Sequence, residues 1–404
     1  MIDLIFAVDS RAIFRVNGGR TVLTQILEGL GGEEFSRCAR RYPTCRDTRA
    51  LSAYDHFAAM IFAQLTYRES LRDIEACLAS RRRVLYHSGI RGEVKRCNLA
   101  YANERRDARL FAEIAAVLMR RARRLYADTP SELSLDGDLF AIDATLIDLS
   151  LALFPWAKWQ GTQAAVKLNV MLAVTTELPS FCTLVEGRRH DVNFLDDIPV
   201  AAGSYYVLDR GYVDFRRLYR IAQATAWFVI RAKRRMRFHV VASRPVDKAS
   251  GLRCDQTIRL NSADGKRDYP VTLRRIHYVD PPTGQRLVLL TNNFNLPVLT
   301  VTEIYRRRWE IELFFRWIKQ HLRLRGFFST SPNGVAVQIW TALCAYLLVA
   351  IAKREMALPQ SLHQLLQVIS ISALEKAPLP QLLASSDTTS DPLDTHNQLK
   401  LSGF

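Results

Sequence analysis

Apolar residues return at helical spacing along 304–324, where Ile304, Ile311, Phe314, Phe315, Ile318 and Leu322 cover one flank of a helix. At about 100° per residue, Tyr305, Arg308, Glu312 and Lys319 fall at roughly 0°, 300°, 340° and 320°, a polar stripe about 60° wide beside that flank. The spacing predicts one helix that buries a side and presents a carboxylate between two cations and a phenol. The bland reading is an amphipathic helix with an ordinary surface ion pair at Glu312. The chemical reading is a carboxylate for a metal, with cations for the phosphates beside it.

The same patterning divides the rest of the chain. Residues 18–128 read as helical, with Phe57, Met60, Ile61, Leu65, Leu71, Ile74 and Leu78 at helical spacing over 54–79. A basic turn at 81–83 and a break at Ser88-Gly89 precede EVKRCNLAYANERRDARLF, so short helices and Gly-containing turns predict a helix-turn-helix-like unit. From about 131 the runs shorten and become β-like: Leu139–Leu149, 168–174, 181–185 and Tyr205–Leu208, then helical text at 215–225 and a strand at 227–232. Three sequential strands, a connection and a fourth strand ending in an acid fit a ribonuclease-H-like core. Such a fold sets metal-binding acids on two central strands and one helix. The apolar run 335–352 is long enough to be a membrane-span candidate. It contains Gln338, follows a Ser-Pro-Asn-Gly turn and lies between basic segments, so it reads as a buried core helix.

Charge adds a partner to this outline. The 404 residues hold 56 Lys+Arg against 40 Asp+Glu, a formal net charge of +16. The excess is clustered: 81–125 carries thirteen Lys/Arg and four Asp/Glu, and RAKRRMR at 231–237 carries five cations and no acid. Clustering of this kind favours a polyanion over mere solubility. Lys95, Arg96, Asn98, Asn103, Arg105 and Arg106 are candidates for phosphate and base contacts. Seven scattered cysteines without a C-x-x-C pair argue for a reducing cytosol and against a zinc site. The acidic N-terminus lacks the basic start of an export signal, and no Gly-rich phosphate loop is present.

Phosphodiester cleavage puts negative charge on the attacking and leaving oxygens. Two Mg²⁺ ions held by carboxylates from separate elements can stabilise both. Asp143 sits mid-run in LFAIDATLIDLS, with Asp136, Asp138 and Asp148 as neighbours that spacing alone does not exclude. An acid between apolar residues carries a desolvation cost that a functional role would explain. Asp209 ends the apolar run YYVL, before a glycine that would permit a sharp turn, and Asp214 reads as a helix cap. Glu312 lies on the stripe, whereas Glu310 points away from it. The 103-residue interval from Asp209 to Glu312 is too long for a plain link and contains β-rich text at 270–276 and Arg286–Thr291.

Read as Y-(2)-R-(3)-E-(6)-K within YRRRWEIELFFRWIKQHLRLRGFF, the stripe resembles the signature of the D-D-E transposases of the insertion-sequence-4 family. AIDATLIDLSLALFPWA resembles that family's first-Asp strand and DRGY its second-Asp motif. QLTYRESLRDIE and KRCNLAYANERRD resemble its helical N-terminal domain, and the likeness runs from about 17 to about 380. The resemblance implies Asp143, Asp209 and Glu312 as the catalytic, metal-binding triad. It implies Tyr305, Arg308 and Lys319 at the DNA, joined by Lys95, Arg96 and Arg105 from the N-terminal domain. The GRRHD run ending in His190 and Asp191 also resembles family text, and core hydrogen bonding is its expected role. Lys167 is expected to face DNA, and Asn169 stands where the family more often has His. Trp227, Trp309 and Tyr305 are the aromatics that could grip an unstacked base.

The expected chain is therefore α/β: a ribonuclease-H-like core of mixed sheet and flanking helices, interrupted by a β-rich insertion and preceded by an all-α, helix-turn-helix-like domain. The expected boundaries are 1–17 for an unmatched extension, 18–130 for the helical DNA-binding domain, 131–230 and 291–356 for the core, 231–290 for the insertion, and 357–404 for a helical and irregular tail. The resemblance implies a bacterial cut-and-paste transposase that binds terminal inverted repeats as a synaptic homodimer and inserts into target DNA. Two Mg²⁺ are expected, with Mn²⁺ able to substitute, without a nucleotide cofactor or a membrane, in the cytoplasm. A catalytically silent DNA-binding derivative and a plain ribonuclease-H-like nuclease are the alternatives.

Overall fold

The computed structural model describes residues 19–42, 51–161, 163–281, 283–322, 324 and 326–384. The unmatched extension and the tail beyond 384 lie outside them. Contacts divide the chain into two units, one of the residues up to Leu110 with those from Cys344, the other Phe111–Leu343. The divisions fall within the helices that span 109–125 and 332–355.

The first unit is helical. It begins with α1 (Val22–Leu27), α2 (Gly32–Ala39), α3 (Ala53–Leu65), α4 (Leu71–Ser80), the short α5 (Arg82–Leu85) and α6 (Arg96–Arg105). Ser52 and Asp55 form a capping box on α3, and Ser70 caps α4 by accepting from Asp73 N. The apolar spacing over 54–79 therefore breaks at 66–70, where Tyr67 takes a positive φ of 55°. Between α4 and α6 lie α5 and a 3₁₀ turn, a longer connection than the tight turn expected. Gly89 closes that turn at φ 76°, and a Cβ there would sit 2.8 Å from Tyr54.

In the second unit α7 (Arg109–Leu125) leads into one ten-stranded sheet. Its strands are β1 (Leu139–Leu149), β2 (Lys158–Gln160), β3 (Gln163–Ala173), β4 (Leu178–Glu186), β5 (Tyr205–Leu208), β6 (Trp227–Arg231), β7 (Phe238–Arg244), β8 (Leu252–Leu260), β9 (Leu273–Val279) and β10 (Arg286–Thr291). β3 pairs antiparallel with β1 and β4, while β5 runs parallel to β1 and β6 parallel to β5. The core order is thus β4-β3-β1-β5-β6, the mixed sheet expected of a ribonuclease-H-like fold. Helix α8 (Phe215–Gln223), between β5 and β6, gives Leu218 and Ile221 to a core cluster with Phe140, Ile142, Tyr206 and Leu208. Side chains alternate across a strand, so Ala141 and Asp143 face the other way.

The β-rich segment after β6 is an extension of the same sheet. β10 pairs antiparallel with β6 and covers its open edge, and β9, β8 and β7 follow as antiparallel neighbours. Helix α9 (Ala263–Asp268) lies between β8 and β9 in sequence. A buried pair pins the extension: Arg274 Nε and Nη2 donate to Asp255 at 2.9 and 2.8 Å, and Arg274 Nη1 donates to Leu296 O at 2.6 Å.

The expected single helix over 304–324 is two helices, α10 (Val298–Arg306) and α11 (Trp309–His321). At the junction Arg308 N bonds Tyr305 O, Glu310 N bonds Arg307 O and Ile311 N bonds Arg308 O, all i to i−3 bonds that tighten the backbone for one turn. α10 packs against β5 and β6 and α11 against β1. Helix α12 (Pro332–Glu355) follows, then α13 (Leu362–Ser372) and α14 (Leu379–Ala384). α12 is long and apolar enough to cross a membrane by composition, yet 94% of its most apolar window is buried. It is the core helix that its Gln338 implies: Gln338 accepts from Phe328 N and donates to Gly326 O.

Replacing Arg274 by Met should destabilise the second unit by about 3 kcal/mol, because the buried Asp255 carboxylate loses its two-pronged partner and keeps only Arg244 at 3.4 Å. Urea unfolding of the full chain measures it. A change within about 0.5 kcal/mol of wild type would show that the pair does not hold the extension.

Candidate active site

Asp143 lies one residue beyond the Ile142–Leu208 pair that ends the parallel β1–β5 ladder, and Asp209 directly follows Leu208. Register alone therefore sets the two acids side by side where the β1–β5 ladder ends, Asp143 in mid-β1 and Asp209 just past β5. Asp209 enters a 3₁₀ turn, Arg210–Tyr212, in which Gly211 has no positive φ and open space where a Cβ would point. That turn does not require the glycine. Asp214 caps α8 by accepting from Arg217 N, as expected.

The break between α10 and α11 sends two side chains to two acids. Tyr305 is buried and its hydroxyl donates to Asp209 Oδ1 at 3.1 Å. Arg308 Nη1 stands 2.8 Å from Glu312 Oε1 and 4.0 Å from Asp143 Oδ2, with its guanidinium 5.8 Å from the Tyr305 ring centroid. Asp143, Asp209 and Glu312 thus converge on one Tyr–Arg pair. The neighbouring acids go elsewhere. Asp136, Asp138 and Asp148 are exposed, and Glu303 and Glu310 pair with Arg307.

Burial pushes the Asp143 carboxyl up to about 6, with Glu312 and Asp191 adding to the rise and the Ala144 N–H and Arg308 opposing it. Arg308 is mostly buried, its side chain 15% exposed, and its Nε is buried without an acceptor among the described residues. The donor set is all oxygen and is short of positive charge, which fits a hard divalent cation. Among the described residues, no three His, Cys, Asp or Glu side chains stand close enough to hold one ion by themselves.

Several expected residues sit differently. Tyr305 spends its hydroxyl on Asp209 and so holds an acid from within the core. The ammonium of Lys319 has Asp148 as its charged neighbour and burial lowers its pKa. Asp148 is five residues along β1 from Asp143, about 17 Å at strand rise. Lys167 does not face outward: it is buried, 2.5 Å from Asp191 and bonded to Arg189 O. His190 is exposed rather than in the core. Asn169 is buried and donates to Thr183. In the helical unit Lys95, Arg96 and Arg105 are exposed, but Asn103 and Arg106 are buried. Asn103 bonds His56, and Arg106 donates to the Ser52 and Leu51 carbonyls, so both hold α6 in place. Of the three aromatics considered, Trp309 is the exposed one, at 49%.

One residue of the site was missed. Tyr212 is 2% exposed, its hydroxyl has no partner among the described residues, and Asp143, Asp191 and Asp209 all raise its pKa after burial does. Its place in DRGY was the only signal, because nothing in the spacing says which way a turn residue points.

The description "Transposase DDE domain" matches residues 134–348, which contain all three acids. The chain belongs to the DDE transposase family. A "Domain of unknown function (DUF4372)" matches 18–91 of this transposase. It is 35% identical over 260 residues to a putative transposase, y4zB, of Sinorhizobium fredii, covering 63% of this chain and 71% of that one. It is 30% identical over 242 residues to a probable transposase for insertion sequence element IS5377 of Geobacillus stearothermophilus, covering 59% and 61%. A putative transposase for element IS4SA of Synechocystis matches at 23% over 284 residues, covering 67% and 75%. Among solved structures, a cryo-EM piggyBac transposase synaptic complex with hairpin DNA matches with a TM-score of 0.46 and 11% identity, over 92% of this chain and 82% of that one.

The Asp143 shift makes a stability prediction for the transposase in metal-free buffer. Its folded pKa of about 6 exceeds the ordinary 3.8, so the fold binds the proton more tightly than the unfolded chain. Its cost is absent below about pH 4 and full above about pH 7. Asp143→Asn should stabilise the protein by roughly 1–3 kcal/mol at about pH 8 and not at about pH 4. Urea unfolding at the two pH values measures the difference, and equal effects at both would contradict the burial argument.

Proposed function

We propose that this transposase of an insertion sequence cuts DNA at the ends of its own element and joins those ends to target DNA. The observation that carries the proposal is the convergence of Asp143, Asp209 and Glu312, from two adjacent strands and one helix, on the Arg308–Tyr305 pair. Asp143, Asp209 and Glu312 would hold divalent cations, Mg²⁺ with Mn²⁺ as a substitute, which neutralise charge on the attacking and leaving oxygens.

The chain's own groups do the rest. Arg308 offers a planar fork of donors to a phosphate beside Asp143 and Glu312. Tyr305 fixes the Asp209 carboxylate through one hydrogen bond, and its ring carries the Arg308 guanidinium. Lys319 of α11, beside Asp148 and so away from Asp143, suits a phosphate some nucleotides from the reacting one. The partner is double-stranded DNA, as terminal inverted repeats and as target, taken up in a synaptic homodimer in the cytoplasm. The net charge of +16 supports a polyanionic partner.

Asp143→Asn, Asp209→Asn and Glu312→Gln should each lower single-turnover cleavage of an end-containing duplex by about a hundredfold or more. Gel-shift affinity for that duplex should stay near wild type. Near-normal cutting by any one variant would remove that residue from the triad. Tyr305→Phe keeps the buried ring and loses only the bond to Asp209, so its cleavage rate should fall about tenfold. A rate unchanged in Tyr305→Phe would mean that Asp209 is held by other groups.

A further inference from the structure

The two most exposed aromatic side chains among the described residues are Tyr86 and Tyr101, at 70% and 65%. Both lie in 81–105, where seven cations, Arg81, Arg82, Arg83, Arg91, Lys95, Arg96 and Arg105, are all exposed, against Glu93 and Glu104. An uncovered phenol is unremarkable alone. Set among cations on a helix held from behind, it forms a surface of defined chemistry.

Helix α6 has two unlike faces. Leu99, Ala102, Asn103 and Arg106 point inward, where Asn103 bonds His56 of α3 at 2.8 Å and Arg106 donates to Ser52 O at 2.7 Å. α4 packs against it as well. At about 100° per residue, Asn98 and Arg105 lie within roughly 60° of Tyr101 on the opposite face, with Cys97 and Glu104 on its other flank. The outward side chains therefore include a phenol and a guanidinium, with the half-buried Asn98 amide at the edge of the face, on a backbone that polar anchors hold.

We infer that α6 is the helix that reads base edges of the element's end in the major groove, through Asn98, Tyr101 and Arg105. Arg81, Arg82, Arg83, Lys95 and Arg96 hold the flanking phosphates. The inference rests on the proposed binding of element ends and adds which side chains select the sequence. Asn and Arg form paired hydrogen bonds with adenine and guanine, and an aromatic edge meets a thymine methyl. Glu104 fits this face and no phosphate-gripping one. A carboxylate beside the backbone would repel it, whereas one over a base edge accepts from cytosine. The expected DNA contacts from Asn103 and Arg106 are replaced by Tyr101, because those two residues anchor the helix.

The test uses the full-length protein. Wild type is first used to select binding sites from a duplex library with a randomised core, and affinity is then measured by anisotropy on the selected and a scrambled duplex. Tyr101→Ala and Arg105→Lys should each weaken binding to the selected duplex about tenfold while leaving the scrambled duplex nearly unchanged. Arg81→Ala should weaken both duplexes together and lower the slope of log K against log salt by about 0.9. Both reading-face substitutions are exposed or conservative, so their melting curves should overlay wild type. An unchanged ratio of selected to scrambled affinity in both Tyr101→Ala and Arg105→Lys would overturn the assignment to α6 and leave end binding standing. A wild-type protein that selects no sequence would overturn both.

Discussion

A carboxylate buried in the middle of a sheet must be given a counter-charge, and the second unit is arranged around supplying one to Asp143. The parallel register of β1 and β5 sets Asp143 beside Asp209. The tightened turn at 307–308 then aims Arg308 at Asp143 and Glu312, and Tyr305 at Asp209. Arg308 alone leaves the site under-neutralised, since burial still holds the Asp143 carboxyl near 6. The fold therefore tolerates a local cost at Asp143, a common trade at functional sites.

The fold's other features protect this arrangement. The β7–β10 extension covers the edge of β6, and the buried Arg274–Asp255 pair fixes it close to the chain that leads into α10. Lys167 and Asp191 form an ion pair whose acid still adds to the field at Asp143. Tyr212 brings a phenol with no hydrogen-bond partner among the described residues to the same acids from the core side.

Much of this was legible from residue patterns. β1, β5 and β6 are apolar runs, so the strands follow from burial, while the choice of Asp143 over Asp136, Asp138 and Asp148 also needed the family resemblance. Glu312 was separable from Glu310 by helical phase, and Glu310 does turn to Arg307. The helix break at 307–308 was not legible, because no Gly or Pro marks it and the residues there are ordinary helix formers. β7 was missed because it is exposed on both faces and shows no alternation. Asn103 and Arg106 look like DNA contacts in a basic run; only tertiary packing shows that they face α3 and its cap.

The central claim is that Asp143, Asp209 and Glu312 act together as a cation site while nearby acids do not. Titration with Mn²⁺ followed by electron paramagnetic resonance measures this without DNA or turnover. Asp143→Asn, Asp209→Asn and Glu312→Gln should each weaken Mn²⁺ binding by about tenfold or more, and Glu310→Gln should leave it at the wild-type level. Undiminished binding in any one of the three, or an equal loss in Glu310→Gln, would contradict the account.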